Sequence, residues 1–180
     1  MTILFSSNGF TQTDIFWINF SSNINRTALD GSNLQSIIPS GVGSSIATDM
    51  TNEKLYYGAG STINRCDFDG SNIELMVTPT EDPSGMAIDE TNGKLYWTEF
   101  NSDRVMRSNL DGSNIESIIT GLDSPSGITV DPANNKLYVI TYNSTAVYRA
   151  DLDGTNFSLI ITNTSEAFGI VELIKLPPHP

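Results

Sequence analysis

The apolar residues of this chain fall in short bursts of about four to six positions, rich in Val, Ile, Tyr and Thr, and are separated by Gly, Asn, Asp, Ser and Pro. No stretch carries an apolar stripe at helical spacing. The pattern predicts strands, and it repeats. Leu29-Asp30-Gly31-Ser32-Asn33 returns as Phe68-Asp69-Gly70-Ser71-Asn72, Leu110-Asp111-Gly112-Ser113-Asn114 and Leu152-Asp153-Gly154-Thr155-Asn156. The aspartates stand 39, 42 and 42 residues apart, so the chain is an array of one supersecondary unit.

Other features keep step with that phrase. An aromatic pair or its remnant precedes each copy: Phe16-Trp17, Tyr56-Tyr57, Tyr96-Trp97 and Tyr138-Val139. Between pair and phrase stands an arginine: Arg26, Arg65, Arg107 or Arg149. A short apolar segment follows each phrase. Three of these lead into a small-residue strand closed by an acid: Ser45 to Asp49, Gly85 to Asp89 and Gly127 to Asp131. Asn92-Gly93 and Asn134-Asn135 sit where a hairpin needs positive φ. Four short antiparallel strands per unit of about 40 residues make one blade of a β-propeller.

The expected fold is therefore all-β, with about four four-stranded blades in one domain over residues 1–180. The repeats span about 15–49, 54–89, 94–131 and 136–174, with a Pro-rich tail at 175–180. We letter the strands A to D from the centre outward. Strand A is the small-residue strand. Strand B carries rings that can pack between blades, and strand C carries the arginine, suited to tie neighbouring blades or backbone carbonyls together. The repeated phrase is the C–D turn, with Asp accepting backbone N–H bonds and Gly at positive φ.

Composition narrows the partners. Nine Lys and Arg against 21 Asp and Glu give a net charge of −12, which opposes nucleic acid and anionic membrane as ligands. The given chain shows neither a secretion signal nor an apolar run of membrane-spanning length, and its compartment stays open. The single cysteine, Cys66, rules out an intrachain disulfide.

The run Lys94-Leu95-Tyr96-Trp97-Thr98-Glu99, then Arg104 to Arg107, Leu110 to Asn114 and Pro125 to Asp131, resembles the YWTD repeat, the class B repeat of low-density-lipoprotein-receptor relatives. The resemblance covers about residues 15–174 and marks the chain as a short, stand-alone member. It implies a propeller used for binding, with no catalytic role by default. The sequence departs from the family where the closing acid is replaced by Asn19, Ala59, Glu99 and Thr141. Family rings have six blades, and the flanking disulfide-rich modules of the receptors are absent. Receptor function, lipoprotein ligands and membrane anchoring do not carry over.

Ring closure has two candidate strands for one slot: Phe168 to Leu173, another strand A, and Ile3-Leu4-Phe5. A closed four-bladed monomer, a homo-oligomer completing a larger ring, and a piece of a six-bladed domain are the three alternatives. In the second, the chain is a structural protein assembling multichain rings.

Catalysis finds little support. The only histidine, His179, lies in the Pro-rich tail, and Cys66 beside Arg65 reads as a strand cysteine. The competing enzyme class is a metal-dependent propeller hydrolase or lactonase. Its cation, calcium for example, would lie among axial acids Asp49, Asp89, Asp131 and Glu172. The other role for these acids is to close A–B hairpin turns and point to solvent. Asp67 and Asp69, like Asp151 and Asp153, faintly resemble a calcium loop but lack its distal glutamate and flanking helices. No cofactor is expected.

Binding is better supported. B–C and D–A loops share one face of a propeller. Three B–C loops place a ring at the same step, Phe20, Phe100 and Tyr142, and small polar residues such as Asn101 and Asn143 follow. Rings supply apolar area and amides supply direction. The expected function is a non-enzymatic module that recognises a protein or a glycan through this face. The other role for the rings is to plug the blade tops.

Overall fold

A computed structural model of the chain describes residues 14–19, 23–162 and 170. Within them lie four antiparallel sheets, each a meander in chain order. The first is β1 (Asp14–Ile18), β2 (Ile24–Ala28) and β3 (Gln35–Ile38). The second is β4 (Ile46–Asp49), β5 (Lys54–Gly58), β6 (Ile63–Asp67) and β7 (Glu74–Val77). The third is β8 (Gly85–Asp89), β9 (Lys94–Glu99), β10 (Arg104–Asn109) and β11 (Glu116–Thr120). The fourth is β12 (Pro125–Asp131), β13 (Lys136–Thr141), β14 (Ala146–Asp151) and β15 (Ser158–Thr162). The sheets are phased A–B–C–D, so each sequence repeat straddles two of them. The first sheet shows strands B, C and D. Both candidates for its strand A fall outside the described residues, apart from Ile170.

The innermost strands carry small residues because they crowd together: β8 packs against β4 on one side and β12 on the other. Strand C bulges against strand D at the same step in every blade, at Ile24/Asn25, Ile63/Asn64, Val105/Met106 and Val147/Tyr148. A bulge adds local twist, which blades need to stack around an axis.

Three apolar clusters join the blades in series. Phe16, Ile24 and Ile38 meet Leu55, Tyr57 and Cys66 between blades one and two. Tyr56, Ile63 and Val77 meet Leu95, Trp97 and Met106 between two and three. Tyr96, Val105 and Ile119 meet Leu137, Val139 and Leu152 between three and four. The strand-B rings fill these seams as expected, and Trp97 is fully buried.

The repeated phrase is the C–D turn. Asp30, Asp69, Asp111 and Asp153 each accept the backbone N–H two residues on, at 2.8–2.9 Å. The following glycines have φ of 81° to 85°, and the closing asparagines 53° to 56°. Three turns press on the preceding blade: a Cβ on Gly70, Gly112 or Gly154 would lie 2.3, 2.1 or 2.1 Å from the carbonyl oxygen of Ile37, Met76 or Ile118. The strand-C arginines reach the other way. Arg26, Arg65 and Arg107 donate to the carbonyls of Phe68, Leu110 and Leu152 in the next blade, at 3.5, 3.4 and 2.8 Å. Tyr56 and Tyr96 hydroxyls donate to the same Leu110 and Leu152 oxygens, at 2.9 and 3.2 Å.

Gly112→Ala therefore meets both a left-handed φ and a wall, while Gly31→Ala meets only the φ, since nothing lies within 4 Å of its Cβ. Urea titration of the two variants in dilute solution is expected to show Gly112→Ala less stable by about 1–3 kcal/mol, the usual cost of overpacking. Equal losses would mean that the turn does not bear on the blade before it.

Candidate functional site

The face formed by B–C and D–A loops carries a hydrogen-bonded ridge across blades three and four. Glu81, in the loop between β7 and β8, accepts the backbone N–H of Asn101 and Ser102, both at 2.9 Å, and the Asn101 amide nitrogen at 2.6 Å. The next B–C loop holds the next D–A loop in turn. Leu122 N donates to the Asp103 carbonyl and Ser124 N to its side chain, each at 3.0 Å. Tyr142 N then donates to the Ser124 carbonyl at 2.9 Å. The Asn143 amide nitrogen donates to Asp123 at 3.2 Å and to Ser124 Oγ at 2.8 Å. Four loops that share no repeat phrase are thereby fixed to one another.

On this ridge the half-buried rings of Phe100 and Tyr142 meet, with centroids 6.0 Å apart and planes tilted by 48°. The shared loop position predicted from sequence thus brings two rings of neighbouring blades into one patch. Phe20 lies outside the described residues. Asn101 and Asn143 are exposed, but their NH₂ groups serve the ridge and leave the amide oxygens as acceptors.

The acid position of the resembling motif acts at the same face. Glu99, fully buried, accepts from Thr80 Oγ1 at 2.8 Å, Trp97 Nε1 at 3.2 Å and Arg104 Nε at 2.6 Å. Arg104 also donates to Thr80 Oγ1 at 2.9 Å. Burial alone would raise the Glu99 carboxyl, but the bonds from Thr80, Arg104 and Trp97 outweigh it and hold the group below the usual glutamate range. In the fourth blade Thr141 closes its own loop instead, contacting Ser144 Oγ at 2.7 Å and donating to the Ala146 carbonyl at 3.2 Å.

The sequence reading passed over Asp82, beside Glu81. Its carboxyl is pushed up by burial, and Oδ1 is buried with no hydrogen-bond partner. The same holds for the hydroxyl of Ser45, a residue only 3% exposed. A Cβ on Gly58 would lie 2.9 Å from Ser45 Oγ and 3.0 Å from Asp82 Oδ1, and one on Gly43 would lie 2.4 Å from either Asp82 oxygen. Glycine at both positions leaves room for the carboxyl. No motif signalled this, because loops 39 residues apart in sequence assemble it.

The axial acids do different work. Asp49, Asp89 and Asp131 each accept the backbone N–H and side-chain amide of the residue three on: Asn52, Asn92 and Asn134, at 2.6–3.1 Å. They close the A–B turns, but they are buried rather than pointed at solvent, at 1%, 0% and 8% exposure. Among the described residues no three His, Cys, Asp or Glu side chains gather where a metal ion could sit, and Glu172 lies outside them. Asp67 and Asp151 pair with Lys54 and Lys136 and accept from Asn72 and Asn156 at 2.7 and 2.6 Å.

Sheets, seams and loop ridge together define a β-propeller protein. Residues 93–132 match the family model described as low-density lipoprotein receptor repeat class B, so the chain carries a YWTD repeat. Its fold is that of a chain in the crystal structure of a nidogen/laminin complex, with a TM-score of 0.76 and 22% identity over 87% of this chain and 64% of that one. A structure of unknown function from Bacteroides thetaiotaomicron aligns with a TM-score of 0.65 and 14% identity, covering 82% of this chain and 40% of that one. A curated relative from Cochliobolus heterostrophus, named 3-hydroxyacyl-CoA dehydrogenase-like protein LAM1, is 32% identical over 88 residues. The match takes in 39% of this chain and 18% of that protein, so this chain spans under a fifth of the relative's length.

Two expectations follow from these environments. Glu99→Gln should cost roughly 1–3 kcal/mol at neutral pH, the usual loss when a buried bonded group is broken. The contribution of Glu99 is complete above its unfolded value near 4.5 and fades as pH falls through its lower folded value. The variant's deficit should therefore shrink on acidification, and urea midpoints against pH would show a constant deficit if the carboxylate were idle. The Cys66 thiol is buried and pushed up to about 12 by burial and then by Asp67 and Asp69. Ellman's reagent at pH 8 should label the native protein only at the rate of unfolding, and prompt labelling would contradict the buried assignment.

Proposed function

We propose that this chain is a non-catalytic propeller module that binds a protein partner through the B–C/D–A loop face. The observation that carries the reading is the Phe100–Tyr142 ring pair on a ridge of four mutually bonded loops. A ridge held in place before binding loses little freedom when a partner docks. Paired rings give apolar contact area that concentrates binding energy. The loops of the ridge are acidic, with Glu81, Asp82, Asp103 and Asp123 among their residues. With a net charge of −12, they favour a partner segment that sets Lys or Arg beside an apolar side chain. The nidogen chain of the same fold occurs in a complex with laminin, which supports a protein over a glycan as ligand class.

Asp82 adds a second support. A buried carboxyl oxygen without a partner, such as Asp82 Oδ1, is costly to stability, and such costs collect at sites kept for function. Asp82→Asn is expected to raise the melting temperature at neutral pH and to weaken partner binding. A variant less stable than wild type, or one with full binding, would remove Asp82 from the site.

Panning the folded protein against a displayed library of random peptides should enrich basic–apolar sequences. Phe100→Ala with Tyr142→Ala should reduce their binding at least tenfold while leaving the melting temperature within a few degrees. Enrichment that survives the double substitution would sink the proposal. A positive glycan array with no peptide enrichment would reassign the ligand class.

A further inference from the structure

The A–B turns of blades two, three and four share one geometry and differ in one residue. In each, an asparagine gives its backbone N–H and its side-chain amide to the aspartate three residues before it: Asn52 to Asp49, Asn92 to Asp89 and Asn134 to Asp131. All three asparagines are exposed, and the residue after each has positive φ: 54° at Glu53, 63° at Gly93 and 54° at Asn135. Glu53 and Asn135 carry side chains beside the asparagine, and Gly93 does not. A Cβ built on Gly93 would meet nothing within 4 Å, so the space beside the Asn92–Gly93 peptide is open. Among the described residues no other Asn-Gly step occurs.

The four Asp-Gly steps of the C–D turns are differently placed. Each glycine N–H there already donates to a carbonyl: Gly31 to Ala28, Gly70 to Asp67, Gly112 to Asn109 and Gly154 to Asp151, at 2.8–3.0 Å. Their neighbours are carboxylates, which resist attack by a nitrogen far better than a neutral amide does. Asn92 thus combines a susceptible amide, an unshielded following nitrogen and access to water.

We propose that Asn92 is a self-modification site, at which the folded chain converts asparagine to aspartate and isoaspartate. The Gly93 nitrogen forms a bond to the Asn92 side-chain carbonyl carbon and gives its proton to solvent. The bond from that carbon to Nδ2 breaks, and ammonia leaves with a proton taken from solvent. Water then opens the five-membered imide at either carbonyl. One product is aspartate, and the other is isoaspartate, in which the main chain runs through the side-chain carbon. Asp89 meets the change first. It is 0% exposed, and in place of an amide donor at 2.7 Å it faces a second carboxylate. Isoaspartate also adds a methylene to the backbone beside Gly93, whose carbonyl accepts from Leu110 N at 3.1 Å. Leu110 opens the turn that seats on blade two, and its own carbonyl takes Arg65 and the Tyr56 hydroxyl. Modification at Asn92 therefore reaches the seam between blades two and three.

Ageing the full chain at mildly alkaline pH, with peptide mass spectrometry and isoaspartate detection, tests the site. Asn92 should convert at least tenfold faster than Asn52 and Asn134, and the aged fraction should unfold at lower urea than fresh protein. Gly93→Ala changes an open position, so it should keep the wild-type circular dichroism spectrum and slow the conversion at least tenfold. Equal rates at the three asparagines overturn the proposal. So does an Asn92 that stays intact while the same chain, held unfolded in urea, converts. Aged protein with the midpoint of fresh protein overturns the link to the seam. If Gly93→Ala loses its fold, Asn92→Gln takes its place, because cyclisation of glutamine needs a slower six-membered ring. That variant should then keep its urea midpoint through ageing, and a midpoint that falls as in wild type would assign the loss to another site.

Discussion

The structure depends on one recurring contact, the seating of an Asp-Gly turn on the outer strand of the blade before it. The turn must present a residue without a side chain, because the Ile37, Met76 and Ile118 carbonyls come within 2.1–2.3 Å of where a Cβ would be. The same approach lets Arg26, Arg65 and Arg107 cap the carbonyl that opens the turn. It also buries the residue that opens it, fully at Leu152 and partly at Phe68 and Leu110. Backbone shape, a charge-assisted bond and apolar burial thus act at one point per seam. Aligned at every seam, they let short strands of four to seven residues stack as rigid blades.

That contact also explains how much of the fold could be read from sequence. Its parts lie close along the chain, and each is chemically constrained. Asp must accept a neighbouring N–H, Gly must take positive φ, and Arg must stand about one strand upstream. Constraints of that kind recur at a fixed period and reveal the blades. The phase of the sheets was legible too, since strand A ends in an acid that closes the hairpin to the strand B that follows it. The burial of Asp49, Asp89 and Asp131 was missed. An acid that closes a hairpin looks exposed in sequence, but here each carboxylate folds back onto the N–H and side-chain amide of the residue three on, and Glu90 of the next blade holds the turn after Asp49 by accepting from Met50 N and Thr51 Oγ1.

The candidate site was half legible. Phe100 and Tyr142 share a position in the repeat, so their kinship showed in sequence, though their 6.0 Å approach did not. The ridge beneath them could not be seen. Glu81 grips Asn101, and Ser124 meets Asn143, across about twenty residues that carry no repeat phrase. Asn101 and Asn143 were read as recognition groups, and half of each amide is spent on holding the loops. Asp82 and Ser45 were invisible because their meaning is spatial: two polar atoms buried where Gly43 and Gly58 leave space.

The two faces of the propeller are therefore under different constraints. On the C–D turn face every blade must satisfy the same seam, and the four phrases are nearly identical. On the opposite face the residue ending strand B changes from blade to blade, and so does its partner. Asn19 bonds Asn23 N at 3.2 Å, Glu99 reaches Thr80 and Arg104, and Thr141 bonds within its own loop. Each is a different local solution to fixing a loop, so each blade can hold its loops in a different shape without disturbing the seam. A scaffold whose rigidity comes from one face leaves the other free to differ, and there the Phe100–Tyr142 pair and the unpartnered Asp82 Oδ1 lie. That separation makes the loop face the place where binding can be specified, while the seam holds the blades to one another.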